Sequence, residues 1–230
     1  AGFNLGRAQK THTAVGWVLP LLMVGLLALL VFEPTFTKDG PIFFSKSGPG
    51  SMHAALWISL GAGLVIGILA QRTRFCTMGA VRDVMLMRDT HLLSGLVALL
   101  VVAFATNLYL GQVSFGFSPQ PVAHSDYFWN FLGMVLAGLA FALAGGCPGR
   151  QLFLAGEGDG DAAVFVLGMI VGAGIAHNFG LAGTPDTVVE GVVKVGGLTV
   201  YGMGAVVLGL VATVLMGFTM REKVSRGGAR

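Results

Sequence analysis

Two cysteines, Cys76 and Cys147, are the residues of this sequence with the clearest capacity for chemistry. Cys147 stands in the segment GGCPGR, where a proline follows it directly and an arginine comes three residues later. Proline is favoured at the first position of a helix, because the N–H that it lacks has no partner there anyway. Pro148 therefore predicts a short helix over 148–155 with Cys147 as its N-cap. The two glycines before the cysteine allow the backbone to break ahead of that helix.

The chemistry that this arrangement favours is the binding of a soft anion. The N-terminus of a helix presents free N–H groups and a partial positive charge. A cysteine at such a position is more reactive than one in apolar surroundings, because the helix end favours the thiolate. Gly149 shapes the first turn, and Arg150 adds a permanent positive charge one turn from the thiol.

The segment RFCTMGAVRD around Cys76 resembles the segment around Cys147. A second short helix of about ten residues is predicted to begin at Cys76 and to end near Arg88–Asp89. Arg82 and Asp83 lie six and seven residues after the cysteine, where they could pair with groups elsewhere in the protein. The residues predicted to line or shape a substrate path are Cys76, Met78, Gly79, Arg82, Cys147, Pro148, Gly149 and Arg150.

Three other interpretations of the cysteines compete with this one. A free cysteine in a membrane protein is often a small buried hydrophobic residue. A disulfide is disfavoured, because both cysteines are predicted near cytoplasmic span ends, where thiols stay reduced. Neither cysteine has a CxxC partner, and no Cys/His set has zinc-ligand spacing, so neither a metal nor a cofactor is predicted. The sequence also lacks a Walker motif, which argues against ATP hydrolysis by this chain.

The elements that must position these cysteines are membrane helices. Of the 230 residues, 54% are hydrophobic and 11% are charged, whereas soluble domains carry about 25% charged residues. A helix needs about 20 apolar residues to cross a bilayer. Six apolar runs approach that length and predict an all-α polytopic membrane protein: Ala14–Phe32, Ala54–Ala70, Leu92–Leu110, Phe131–Ala144, Ala162–Ala176 and Tyr201–Met220.

The basic residues favour six spans with both termini on the cytoplasmic side of the membrane. They lie at span ends, where they set topology, so the sequence pI of about 9.1 does not indicate nucleic-acid binding. The outside loops carry Lys38, Lys46 and Lys194. The inside segments carry Arg7, Lys10, Arg72, Arg74, Arg82, Arg88, Arg150, Arg221, Lys223, Arg226 and Arg230.

The chain contains an internal repeat with one cysteine motif in each copy. Each copy has a Gly-rich span, a cysteine, a short mixed segment, a turn with carboxylates and a second Gly-rich span. Internal repeats are common in transporters, with the substrate site between the copies. The predicted segments are an N-terminal helix with a periplasmic connector over 1–53, a first unit over 54–110, a periplasmic loop over 111–129, a second unit over 130–180, and a last loop, helix and basic tail over 181–230.

The segments QRTRFCTMGAVRD and AGGCPGRQLFLAGEGDGDA resemble the YeeE/YedE family of bacterial sulfur-compound transporters, and most closely its branch of selenium transporters. The resemblance implies uptake of thiosulfate or a related ion along cysteines in a narrow path, through transient S–H···S contacts without a covalent bond. Cys76 and Cys147 match the family's cysteine motifs. Family members are usually longer, with further cysteine motifs in an N-terminal half, so the resemblance implies a missing N-terminal half or a second subunit.

These observations predict a permease for a small sulfur- or selenium-containing anion, and not an enzyme. Its partners are the anion and the lipid bilayer, with a cytoplasmic sulfur-carrier protein as a further candidate. Two alternatives stay open. One is a membrane sulfurtransferase that carries a persulfide on one cysteine, and the other is a membrane component of sulfur or selenium metabolism that does not transport. The acidic residues after the second motif are predicted to cap the next helix: Glu157, Asp159 and Asp161.

Overall fold

The computed structural model describes residues 16–32, 54–113, 115–117, 124–190 and 192–220. In these residues the chain is α-helical, apart from one small antiparallel hairpin. The elements in chain order are α1 (Val18–Phe32), α2 (Leu56–Thr73), α3 (Thr77–Met87), α4 (His91–Tyr109), α5 (Tyr127–Leu143), α6 (Pro148–Gly156), α7 (Gly160–Asn178), β1 (Thr187–Val189), β2 (Val192–Lys194) and α8 (Val200–Thr219). The predicted all-α fold is thereby confirmed.

Within the described residues, five helical stretches are long and apolar enough to cross a membrane. They are Leu56–Met87, His91–Tyr109, Tyr127–Gly156, Gly160–Asn178 and Val200–Thr219. The protein is therefore a multi-pass membrane protein. The first and third of these stretches each contain a break, so that each consists of a long helix and a short one.

The first predicted span is described only in part. Helix α1 has 15 residues, fewer than the roughly 20 that a perpendicular span needs. Residues 1–15 and 33–53 lie outside the described part of the chain, and so do residues 221–230. The predicted connector loop and the cytoplasmic placement of both termini therefore stay predictions.

The predicted break in each unit is present, and the backbone shows why it forms. Helix α2 ends at Arg74, whose left-handed conformation (φ 52°) turns its N–H onto the carbonyls of Ala70 and Gln71. Helix α5 ends just before Gly145, which has a φ of 73° that suits glycine. The two short helices α3 and α6 begin directly after these turns. We call them the first and the second half-helix.

The two units pack in the same way. The first half-helix packs against α4, and the second packs against α7. Val166 of α7 is less than 2% exposed, so this helix is closely packed at that position. Helix α2 contacts the second half-helix, which joins the two units. Helix α5 packs against α8, where Gly209 lies so close to Leu136 that a Cβ at Gly209 would be 2.9 Å from that side chain.

A polar clamp holds the β-hairpin against the start of α5. The carboxylate of Asp186 accepts a hydrogen bond from the Ser125 backbone N–H at 3.1 Å and another from the Gly196 N–H at 2.8 Å. The side chain of Asp126 caps α5 by accepting from the Trp129 N–H. These contacts hold the loop that precedes α8 beside the start of α5.

Candidate functional site

Cys76 is the N-cap of the first half-helix. Its backbone is extended (φ −154°, ψ 119°), and its Sγ accepts a hydrogen bond from the Gly79 N–H at 3.2 Å. The first N–H groups of a helix have no carbonyl partner within the helix. A side chain at the N-cap position can accept a hydrogen bond from one of them. The residue is buried, with 8% of its surface exposed, and its thiol is free. The predicted cysteine-headed half-helix is confirmed in this unit.

Cys147 has the same role in the second half-helix. Its Sγ accepts from the Arg150 N–H at 3.4 Å, and Pro148 occupies the first helical position as predicted. Cys147 is 6% exposed and is also a free thiol. The half-helix spans Pro148–Gly156, one residue longer than the predicted 148–155. The second cysteine-headed half-helix is therefore confirmed as well.

The two half-helices meet at their cysteine-bearing ends. The Cys147 sulfur interacts with the Cys76 thiol and with both the backbone N–H and the hydroxyl of Thr77. Thr77 is the first residue of the first half-helix, and it is exposed. Polar groups from both units, the Arg150 N–H and the Thr77 N–H and hydroxyl, thus lie near one sulfur atom. Sequence spacing gave no indication of Thr77, because the contact joins residues 70 positions apart.

The glycines of the two motifs differ in how closely they are packed. A Cβ at Gly79 would lie 3.2 Å from the Cys76 Cβ and 3.4 Å from a methyl of Leu92. Gly79 therefore lets the first turn close around Cys76 and against α4. At Gly149, a Cβ would meet only the Cys147 sulfur, at 4.0 Å, which is an ordinary contact. Met78, the predicted soft liner of the path, is half-buried in the first turn of the first half-helix.

Among the described residues, Arg82 pairs with its neighbour Asp83 and not with a distant group. Its Nε donates to the Asp83 Oδ1 at 2.9 Å, and its Nη2 lies 2.9 Å from the same oxygen. The expectation that Arg82 and Asp83 pair elsewhere is thus wrong. Asp83 is buried on the helix while 58% of the Arg82 side chain is exposed, so the long arginine side chain bends back to the buried carboxylate.

Arg150 is held differently. Its backbone N–H binds the Cys147 sulfur, but its side chain extends to Glu157, the residue that ends the second half-helix. The Arg150 Nη1 and the Glu157 Oε1 are 4.0 Å apart. This Nη1 is buried and donates to no acceptor in the part of the chain that the structure describes. The side chain is 19% exposed overall.

Gln151 is a structural residue of the site that the sequence did not reveal. It is 4% exposed, and its Nε2 donates to the Ala144 carbonyl at 2.7 Å. That carbonyl lies at the end of α5, where helical acceptors have no helical donor. Gly146 gives the amide room, since a Cβ there would be 3.3 Å from the Gln151 Nε2. Gln151 therefore ties the second half-helix to the preceding span across the break.

Of the three acidic residues predicted to cap the next helix, Asp159 does so, whereas Glu157 ends the second half-helix and Asp161 lies in the first turn of α7. The Asp159 carboxylate is the N-cap of α7 and accepts from the Ala162 N–H at 2.9 Å. Ala162 is 2% exposed, so this turn is well packed. Among the described residues, no group of three or more His, Cys, Asp or Glu side chains could hold a metal ion.

Comparison with known proteins gives the following matches. The model of the family described as Sulphur transport matches residues 72–227, which is more than half of the chain. The Thiosulfate transporter TsuA of Spirochaeta thermophila (strain ATCC 700085 / DSM 6578 / Z-1203) is 34% identical over 104 residues. This match covers 45% of the chain and 31% of TsuA, so the chain matches about a third of that relative's length. No solved structure matches the chain.

The matched region contains both half-helices and both thiols, which are the features that carry the resemblance to the YeeE/YedE family. Neither match distinguishes the selenium branch of that family from its thiosulfate branch, so the selenium branch stays a prediction. The five membrane-spanning stretches fit a transporter. The chain belongs to the sulphur-transport family, the YeeE/YedE group of sulfur-compound transporters.

Proposed function

We propose that the protein is an inner-membrane permease that takes up a small sulfur- or selenium-containing anion through a path lined by Cys76 and Cys147. The observation that carries this proposal is the meeting of two buried, free thiols at the N-termini of two half-helices. Broken helices at membrane depth are tolerated where they are buried in protein or line a water-filled cavity. The duplicated break therefore favours a path between the two units.

The chemistry of this meeting point suits an anion with a soft terminal atom. Two helix N-termini contribute partial positive charge and N–H donors. The Gly79 and Arg150 N–H groups reach the two sulfur atoms, as their hydrogen bonds to Cys76 and Cys147 demonstrate. An incoming sulfur or selenium atom would take over such donors while the polarisable thiols contact it. Pro148, Gly149 and Gly79 shape the half-helices, and Met78 offers a further soft contact.

The proposed mechanism is a relay without covalent bonds. The anion contacts one thiol and then the other through S–H···S hydrogen bonds, and no S–S bond forms. Arg82 and Arg150 supply positive potential that raises the local concentration of anions. Because salt screens such attraction, replacing Arg150 by glutamine should reduce uptake more at low than at high ionic strength.

The proposed orientation places both half-helices toward the cytoplasm, with both termini on that side. It rests on the concentration of arginines around the two breaks and on the small number of basic residues in the outside loops. Reporter fusions at Ser118 and Arg226, which lie outside the described residues, should report opposite sides of the membrane. Reports from the same side would contradict the six-span topology.

The partners of the transporter are also proposals. TsuA is named as a thiosulfate transporter, which favours thiosulfate as the anion for this chain as well. Because the chain matches 31% of TsuA, we propose that an N-terminal half or a second subunit completes the path. A cytoplasmic sulfur-carrier protein is the candidate acceptor of the imported sulfur.

A membrane sulfurtransferase is the second candidate. It is favoured by the donors that converge on the Cys147 sulfur, since the same donors would support a nucleophilic thiolate. Such an enzyme needs one reactive thiol and accumulates a persulfide on it, which mass spectrometry detects. A permease needs both thiols and accumulates none. A membrane component that does not transport would show neither uptake nor persulfide.

The experiment that tests the proposed function is uptake of labelled anions by proteoliposomes containing the purified chain. Thiosulfate, which has a soft terminal sulfur, and selenite, which has a lone pair on its central selenium, are compared side by side with sulfate, which exposes only oxygen atoms. We expect thiosulfate or selenite to enter and sulfate to be excluded. Equal uptake of all three anions, or of none, would contradict a thiol-lined selective path.

A further inference from the structure

The Arg150 side chain links the two ends of the second half-helix. Its backbone N–H binds the Cys147 sulfur at one end, and its guanidinium lies beside Glu157 at the other. The separation of 4.0 Å between Nη1 and Oε1 allows electrostatic attraction but exceeds hydrogen-bond length. Arg150 is thus attracted to the carboxylate without being bound by it.

This leaves the guanidinium with unused binding capacity. A guanidinium carries five N–H donors, and a buried charged donor without an acceptor is costly. The Arg150 Nη1 is such a donor in the described part of the chain. Because 37% of the Glu157 side chain is exposed, solvent weakens its attraction for Arg150. A small anion that reaches Arg150 would therefore find a free donor and a weak competitor.

The arginine of the other unit is engaged more closely by its carboxylate. Arg82 directs both Nε and Nη2 to the Asp83 Oδ1, each at 2.9 Å. Its side chain is 58% exposed, compared with 19% for Arg150. Arg82 is thus hydrogen-bonded to a carboxylate at close range and largely solvated, and solvent and salt weaken its attraction for a further anion. Of these two motif arginines, Arg150 is therefore the one suited to hold the transported ion.

We infer that Arg150 and Glu157 form an anion-binding site on the exit side of the path. Glu157 competes with the anion for Arg150 and so promotes release of the anion. The inference rests on the proposed function, since the anion would reach this site after it has passed Cys76 and Cys147. An anion that leaves Cys147 binds the guanidinium at the same half-helix. The nearby carboxylate repels the anion and attracts the guanidinium, which limits how tightly the ion is held.

The test measures thiosulfate binding to the purified full chain and thiosulfate uptake by proteoliposomes. Glu157→Gln removes the competing charge with little change in size. We expect its Kd for thiosulfate to fall about two- to fivefold, the range of a partly exposed ion pair. Uptake at saturating thiosulfate should become slower, because release is delayed. Glu190→Gln is the matched control, as Glu190 is an exposed residue of the β-hairpin turn.

A double-mutant cycle shows whether the effect acts through Arg150. In an Arg150→Gln background, Glu157→Gln should no longer lower the Kd. A Glu157→Gln protein with the Kd and the uptake rate of the wild type would overturn the inference, and so would an effect that persists without Arg150. If Glu157→Gln does not fold, Glu157→Ala removes the same charge. Absence of any uptake by the wild type, together with the expected shift in Kd, would contradict the proposed function and leave the binding pair supported.

Discussion

The Cys147 sulfur lies against Thr77, the first residue of a half-helix that belongs to the other sequence unit. Cys147 is the N-cap of its own half-helix, so the cap of one short helix lies beside the start of the other. This contact brings the two halves of the repeat together at their reactive residues. It also gives the site a hydroxyl beside two thiols, a combination of hard and soft donors that matches an oxyanion with a terminal sulfur or selenium.

The Thr77 hydroxyl is expected to contribute to uptake. Thr77→Val removes the hydroxyl and keeps the branched shape, whereas Thr77→Ser keeps the hydroxyl. A lost hydrogen bond of about 0.5–1.5 kcal/mol corresponds to about a two- to tenfold rise in KM. Thr106→Val is the control, because the Thr106 hydroxyl is exposed and bonds only within its own helix. A Thr77→Val protein with the KM of the wild type would exclude a role for the hydroxyl.

Cys76 and Cys147 are expected to form a disulfide bond when a disulfide reagent is added as oxidant. Each thiol loses one hydrogen atom, and the reagent is reduced to its thiols. Their side chains already interact, although they come from separate half-helices. Oxidation should protect both cysteines from alkylation and abolish uptake, and a dithiol reductant should restore both. Cys76→Ser cannot form the bond and is the control. Persistent alkylation of both cysteines after oxidant treatment would indicate that the half-helix ends do not meet in the membrane.

Gln151 is expected to stabilise the break in the second unit. Gln151→Met keeps the length of the side chain but leaves the part-buried Ala144 carbonyl without its donor, which costs about 1 kcal/mol. The melting temperature of the purified protein in detergent should fall. Gln71→Met is the control, since Gln71 is exposed. Equal melting temperatures for the two variants would show that the hydrogen bond carries no stability.

The sequence predicted the parts of this fold that depend on local signals. Pro148 after Cys147 identified a helix start, because proline suits the first turn, and glycine identified the break before it. At Cys76 no proline follows, and the helix start was predicted from the similarity of this segment to the segment around Cys147. Asp159 was identified as a cap for the same reason, since its acceptor role depends on residues three positions away.

The remaining features depend on contacts between distant residues or on side-chain direction. Thr77 gains its position only when the two units pack together. Spacing places Arg150 one turn from Cys147, but only the folded side chain shows that its guanidinium extends to Glu157. Arg82 was expected to pair at a distance, yet its flexible side chain reaches the buried carboxylate next to it. Burial and packing decide these side-chain directions and contacts, and a single sequence does not show either.

The central claim is that Cys76 and Cys147 both hold the anion in turn. It is tested most directly by thiosulfate uptake into proteoliposomes with Cys76→Ser and Cys147→Ser, alongside mass spectrometry of both proteins and the wild type. Serine is of similar size but is a harder, less polarisable donor. We predict that each substitution lowers uptake about tenfold, equivalent to about 1.4 kcal/mol, while the fold is retained and the wild type carries no stable persulfide. Normal uptake by both serine variants would contradict the claim and identify the cysteines as packing residues. Loss with only one variant, together with a trapped persulfide, would instead identify a sulfurtransferase.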